Sequence, residues 1–103
     1  SILIDVIENP DIANSNLGTG DKFGFSVSMD NQFLVIGAPN KSYDSGDKQG
    51  VAYVYERNGA NIYNRVQELR PTDNQDNDSF GYSVAINGNH IAVGAPSKNR
   101  QHF

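Results

Sequence analysis

Bulky and small residues alternate at two places along the chain. Phe23, Phe25, Val27 and Met29 alternate with Gly24, Ser26 and Ser28, and Phe80, Tyr82, Val84 and Ile86 alternate with Gly81, Ser83 and Ala85. A period of two predicts strands over residues 23–29 and 80–86, each with one bulky and one small face. Such faces suit sheets stacked so that large side chains of one fill the space left by small ones of the next. Residues 33–39 and 90–96 predict the next strand of each repeat, and within them Phe33 to Ala38 and Ile91 to Ala95 are apolar without alternation, as in strands covered on both sides. Residues 50–57 predict a third strand and residues 62–70 a fourth, the most polar, as an outer edge should be. Asn87-Gly88 reads as a type I′ hairpin turn with positive φ at both residues, and Asn58-Gly59 turns the third strand into the fourth. Nowhere do apolar residues recur at i, i+3, i+4 and i+7 over three turns, so no helix longer than one turn is expected.

The pattern is repeated. A shift of 57 residues places 21–39 on 78–96 without a gap and gives eight identities in 19 positions, including Phe23-Gly24 on Phe80-Gly81 and Gly37-Ala38-Pro39 on Gly94-Ala95-Pro96. Repeats of roughly 40 to 60 residues built of short strands point to propeller blades.

These paired Phe-Gly and Gly-Ala-Pro motifs resemble FG-GAP repeats, the blades of the β-propeller in integrin α subunits and in many bacterial surface proteins. Gly50-Val51-Ala52-Tyr53-Val54-Tyr55-Glu56 and Val66-Gln67-Glu68-Leu69 are similar to the subgroup whose repeats read FGYSVA, then GAP, then a GxAYV strand. The resemblance covers nearly the whole chain and implies an all-β fold of four-stranded antiparallel meanders. In integrin-type repeats an acidic loop between Phe-Gly and Gly-Ala-Pro binds calcium. Here that connection is only Asp30-Asn31-Gln32 or Asn87-Gly88-Asn89, while calcium takes six to eight oxygen ligands. The family's metal sites are therefore not carried over, and no cofactor is expected.

The register places residues 1–103 within a single β-propeller domain. Residues 1–9, with Ile4 to Asn9, stand where an outer strand of a preceding blade belongs; residues 23–70 make a complete blade; residues 80–103 start the next, whose third strand would begin near position 107. Propellers close with about four to eight blades. The chain is accordingly expected to be a piece of a longer propeller, or else a short subunit whose copies assemble into a ring. Its partners are expected to be further blades, from the same longer chain or from other copies, and it is not expected to be a stable monomer by itself.

Composition narrows the classes. Hydrophobic residues make up 37% of the chain, below the about 45 to 50% of ordinary domains, a range that also counts glycine. Eight basic against 12 acidic residues give a formal charge of −4, which argues against a nucleic-acid partner. There is no cysteine, hence no disulfide framework or thiol nucleophile. The longest apolar run, Phe33 to Ala38, is far short of the roughly 20 residues that span a bilayer, so no membrane insertion is expected. No signal peptide is visible, and one upstream is left open.

Candidate chemistry concentrates in three long connections, residues 10–22, 40–49 and 71–79, which a meander brings to one rim. They hold seven of the nine aspartates. Tyr43, Asp44, Asp47, Asp73 and Asp76 form the candidate binding rim. Tyr43 could stack on a sugar, contact a protein or cover loop backbone, and the aspartates could simply build turns. Asp21 and Asp78, each two residues before a Phe-Gly pair, read as structural. His90 and His102 have no partner at a fixed spacing, and no serine sits in a nucleophile elbow, so the chain is not expected to be an enzyme. The triplets Asn40-Lys41-Ser42 and Asn77-Asp78-Ser79 are glycosylation sequons, no more than chance supplies in a chain this rich in Asn. The resulting expectation is a non-catalytic propeller segment of an extracellular or cell-surface protein serving adhesion or recognition. The alternatives are a carbohydrate-binding propeller assembled from several short chains, or the scaffold portion of a larger enzyme.

Overall fold

The computed structural model describes Ile7 and residues 21–42, 49–71 and 78–96. It is all-β, with no helix among these residues. Strands β1 (Ser26–Asp30), β2 (Phe33–Ala38), β3 (Val51–Arg57) and β4 (Tyr63–Leu69) form an antiparallel meander in the order β1-β2-β3-β4. Strands β5 (Ser83–Asn87) and β6 (His90–Gly94) form a second, two-stranded sheet. The four-stranded sheet spans residues 26–69 and the two-stranded sheet residues 83–94. The outer strand expected at residues 4–9 falls outside the described residues except for Ile7, which packs against the core cluster.

The first strand of each repeat begins three residues later than the alternation predicts. Phe23-Gly24-Phe25 and Phe80-Gly81-Tyr82 lie in turns, closed by Phe25 N donating to Lys22 O at 2.9 Å and Tyr82 N donating to Ser79 O at 3.0 Å. Lys22 and Gly24 have φ of 61° and 87°, and their counterparts Ser79 and Gly81 have 58° and 95°. Two left-handed residues so close together cannot belong to a strand.

Both tight turns are also shifted. The β5–β6 pairing ends at Asn87 and His90, so the central residues are Gly88-Asn89, and of these only Gly88 has positive φ, at 58°. Asn31 takes the same position in the first repeat with φ 54°. In the β3–β4 turn the left-handed residue is Asn61, φ 63°, not Gly59. The Asn58 side chain closes that turn by accepting from Ala60 N and Ile62 N at 2.8 and 3.1 Å.

Register assigns the faces of the blade. Val27 and Met29 share one face with Leu34, Ile36, Tyr53 and Tyr55, while Ser26, Ser28 and Asp30 share the other with Val35, Ala52 and Val54. Strand β2 is buried on both faces from Leu34 to Ala38, as its unbroken apolar run implies. Its counterpart β6 is not: His90, Ile91 and Ala92 are exposed, because among the described residues β6 pairs with β5 alone. The bulky face of β1 also departs from expectation, with Val27 and Met29 60 and 59% exposed. It is the small face that meets the next repeat.

The candidate recognition rim and the groove between repeats

The three long connections are rooted side by side. Asn40 N donates to Asp21 O at 3.0 Å, Gly50 N to Lys41 O at 2.9 Å and Phe80 N to Gln49 O at 3.0 Å, and Gly50 and Phe80 form an isolated parallel bridge. Gly50 is fixed by this approach: a Cβ there would stand 2.1 Å from Phe80 O, and its φ is 88°. Four polar side chains, Asp21, Lys41, Gln49 and Asp78, are buried along this shelf. The matching burial of Asp21 and Asp78 agrees with the structural role read from their recurrence. Tyr43, Asp44, Asp47, Asp73 and Asp76 lie in segments 43–48 and 72–77, outside the described residues.

Beside the shelf, β4 carries a charged cluster that the sequence did not reveal. The ladder shifts between Val54 and Tyr55, so that Val54 pairs with Gln67 but Tyr55 with Arg65, and Val66 is left over as a β-bulge. Arg65 and Glu68, three apart, would face opposite ways in a regular strand; the extra residue turns them the same way. Arg65 then lies 5.7 Å above the Tyr53 ring and 3.6 Å from Glu68, whose other oxygen receives Arg70 Nε at 2.7 Å. Burial pushes the Lys41 ammonium below its ordinary pKa against an opposing pull from Glu68. Tyr53 is fully buried with its ring 5.6 Å from Phe23, and its hydroxyl has no hydrogen-bond partner among the described residues. Burial, reinforced by Glu68 and Asp21, pushes the ionisation of that hydroxyl far above the usual tyrosine range.

On the opposite face, an apolar groove of about 240 Å³ runs between the two sheets, lined by Phe33, Val54, Val66, Gln67, Ile86, Gly88, Asn89 and Ile91. The same bulge supplies it, since Val66 and Gln67 both line it. Val66, the apolar residue in the polar middle of β4, was the available signal. Among the described residues no group of three or more His, Asp and Glu side chains could hold a metal ion. Asp30, the lone carboxylate in the two tight turns, accepts a hydrogen bond from Gly88 N at 2.6 Å.

Two passages of the chain, residues 10–55 and 63–102, match the model of the FG-GAP repeat. The chain belongs to the FG-GAP repeat family. The two matches cover both Phe-Gly turns and both Gly-Ala-Pro segments, and the described strands are the antiparallel meanders of FG-GAP propeller blades. No curated protein and no solved structure matches the chain. In this FG-GAP pair the glycine of each Phe-Gly turn donates its N–H to the glycine of Gly-Ala-Pro: Gly24 to Gly37 O and Gly81 to Gly94 O, both at 3.0 Å. The two motifs of one repeat are thus one contact, where the turn before β1 closes against the end of β2.

Proposed function

We propose that this FG-GAP chain is a non-catalytic β-propeller segment of an extracellular or surface protein, and that it recognises a protein or glycan through the rim formed by its three long connections. The observation that supports this reading is the shared root: Asn40 to Asp21, Gly50 to Lys41 and Phe80 to Gln49 bind the bases of all three connections into one shelf. Loops held on a rigid scaffold are where partners bind. The connections carry seven aspartates against three lysines, so the rim attracts cationic partners and repels nucleic acid. Among the described residues no helix is long and apolar enough to cross a membrane.

A glycan array and a panel of immobilised extracellular-matrix proteins, both probed with the chain, test the reading. Binding is expected to weaken with salt and to be lost in a variant combining Asp44→Asn, Asp47→Asn, Asp73→Asn and Asp76→Asn. Loss on Tyr43→Ala with selective glycan binding identifies the ligand as a sugar. Binding untouched by the four substitutions, or none on either panel, overturns the assignment to the rim.

A further inference from the structure

Three side chains on one face of β1 hold backbone groups of the second repeat. Ser26 Oγ donates to Gly81 O at 2.9 Å, Ile86 N donates to Ser28 Oγ at 3.1 Å, and Gly88 N donates to the Asp30 carboxylate at 2.6 Å. Gly88 follows Asn87, and the chain holds a second Asn-Gly pair, Asn58-Gly59. In such a pair the glycine nitrogen can close a five-membered ring onto the asparagine amide carbon, and no Cβ shields it. The two turns bond their pairs in opposite ways. At Asn87 the nucleophile is held, since the Asp30 carboxylate occupies the Gly88 N–H and its negative charge opposes loss of that proton. At Asn58 the nucleophile is free and the electrophile is held. Gly59 N makes no hydrogen bond among the described residues, and a Cβ built on Gly59 would meet nothing within 4 Å. Ala60 N and Ile62 N donate to the Asn58 amide oxygen at 2.8 and 3.1 Å, distances typical of an oxyanion hole.

We propose that Asn58 is a self-modifying site that deamidates in the folded chain, its own turn supplying the nucleophile and the oxyanion donors, while Asp30 shields Asn87. Gly59 N loses its proton to a solvent base and bonds to the Asn58 amide carbon. The negative charge moves to the amide oxygen, where Ala60 N and Ile62 N receive it. The carbon–nitrogen bond of the side-chain amide then breaks, and its nitrogen takes a proton from water and leaves as ammonia. The succinimide that remains is opened by water, at the side-chain carbonyl to give aspartate or at the main-chain carbonyl to give isoaspartate. Aspartate keeps both acceptor bonds and adds a charge to them. Isoaspartate lengthens the main chain by one carbon, which pulls apart the bond from Asn58 N to Ile62 O, 2.9 Å in the intact turn, and loosens the adjoining Arg57–Tyr63 pair of the β3–β4 ladder. Residues 57–62 are all exposed. They form a hairpin tip, on neither face of the sheet, so repeats stacked on either side leave them open.

Peptide-mapping mass spectrometry of the chain, incubated in mildly alkaline buffer with and without concentrated urea, tests it. Conversion of amide to acid is followed at each Asn-Gly pair, and isoaspartate is counted by enzymatic methylation. In urea both pairs react from an open chain and each sets its own reference. In the folded chain Asn58 is expected to react at least as fast as its reference, and Asn87 about tenfold or more below its own. Asp30→Ala is expected to raise the Asn87 rate toward its reference and to leave Asn58 unchanged. Gly59→Ala, accepted by the open space at that position, is expected to slow Asn58 severalfold by shielding the nitrogen. The wild-type comparison decides the matter even if a variant fails to fold. Asn58 reacting more slowly in the folded chain than in urea would show that the two donors lock the amide rather than activate it, and would overturn the proposal. So would Asn87 reacting faster than Asn58 in the folded chain, or an Asn87 rate untouched by Asp30→Ala in a chain with unchanged circular dichroism.

Discussion

Replacing Gly37 by alanine tests how tightly the two repeats are joined. Gly37 lies within β2 and does not have positive φ, so the backbone accepts alanine there. On conformational grounds the change would stabilise by about 0.4–1 kcal/mol, because alanine has fewer unfolded states to lose. The space says otherwise. The new Cβ would stand 2.0 Å from the Gly81 carbonyl oxygen and 2.5 Å from Ser26 Oγ, and the carbonyl is backbone that cannot rotate away. Ordinary contact needs about 3.4 Å, so the repeats must part by more than 1 Å, which breaks the Ser26–Gly81 hydrogen bond. Overpacking costs about 1–3 kcal/mol and the lost bond about 0.5–1.5 kcal/mol. The net is a destabilisation of about 2 kcal/mol, a roughly 30-fold shift toward the unfolded state. Urea unfolding followed by far-UV circular dichroism at one low protein concentration measures it. Three controls separate the causes. Gly94→Ala meets only a hydroxyl that can turn aside and is expected within 0.5 kcal/mol of wild type. Gly59→Ala, with open space and no positive φ, is expected to be neutral. Gly24→Ala has equal space but φ 87° and is expected to lose about 1–2 kcal/mol to strain alone. A Gly37→Ala chain as stable as wild type, or more so, would refute the close approach.

The remaining predictions concern buried or bonded polar groups. Tyr53→Phe removes a buried hydroxyl that has no partner among the described residues and is expected to raise stability by about 1 kcal/mol in thermal unfolding; a loss of similar size would reveal a water or side chain bonded to it. The ionisations of Tyr53 and Tyr55 are both raised by burial, so above pH about 10 the unfolded chain releases protons that the folded chain keeps. Stability is therefore full below that pH and falls above it, by up to about 1.4 kcal/mol per pH unit for each group; denaturant titrations should show a shallower alkaline loss in Tyr53→Phe. Asn58→Ala removes both side-chain bonds of the β3–β4 turn and is expected to cost about 1 kcal/mol by the urea midpoint. Calcium titrated into the chain should give no heat assignable to Asp30, whose carboxylate is engaged by Gly88 N, and a tight site lost on Asp30→Ala would contradict this.

The sequence by itself determined which residues form strands, that they recur at a shift of 57, and that the family is FG-GAP. Alternation, unbroken apolar runs and repeated motifs report local geometry, and β2 is buried as its run implies whereas β6, with the same kind of run, is exposed over His90–Ala92. It also indicated structural roles for Asp21 and Asp78. It misplaced the starts of β1 and β5, because a turn with left-handed residues at Lys22 and Gly24 can carry the same bulky-small spacing as a strand. Tertiary structure alone decided three further things. The bulge at Val66 sets Arg65 beside Glu68 and opens the groove, and an extra residue in a ladder exists only relative to the partner strand. The use of Ser26, Ser28 and Asp30 as a clamp depends on backbone groups 55 to 58 residues away. The exposure of Val27 and Met29 depends on what lies over them, and amphipathic alternation names a face without naming its neighbour. Local interactions write their pattern into consecutive residues, whereas contacts between sheets depend on segments that only folding brings together.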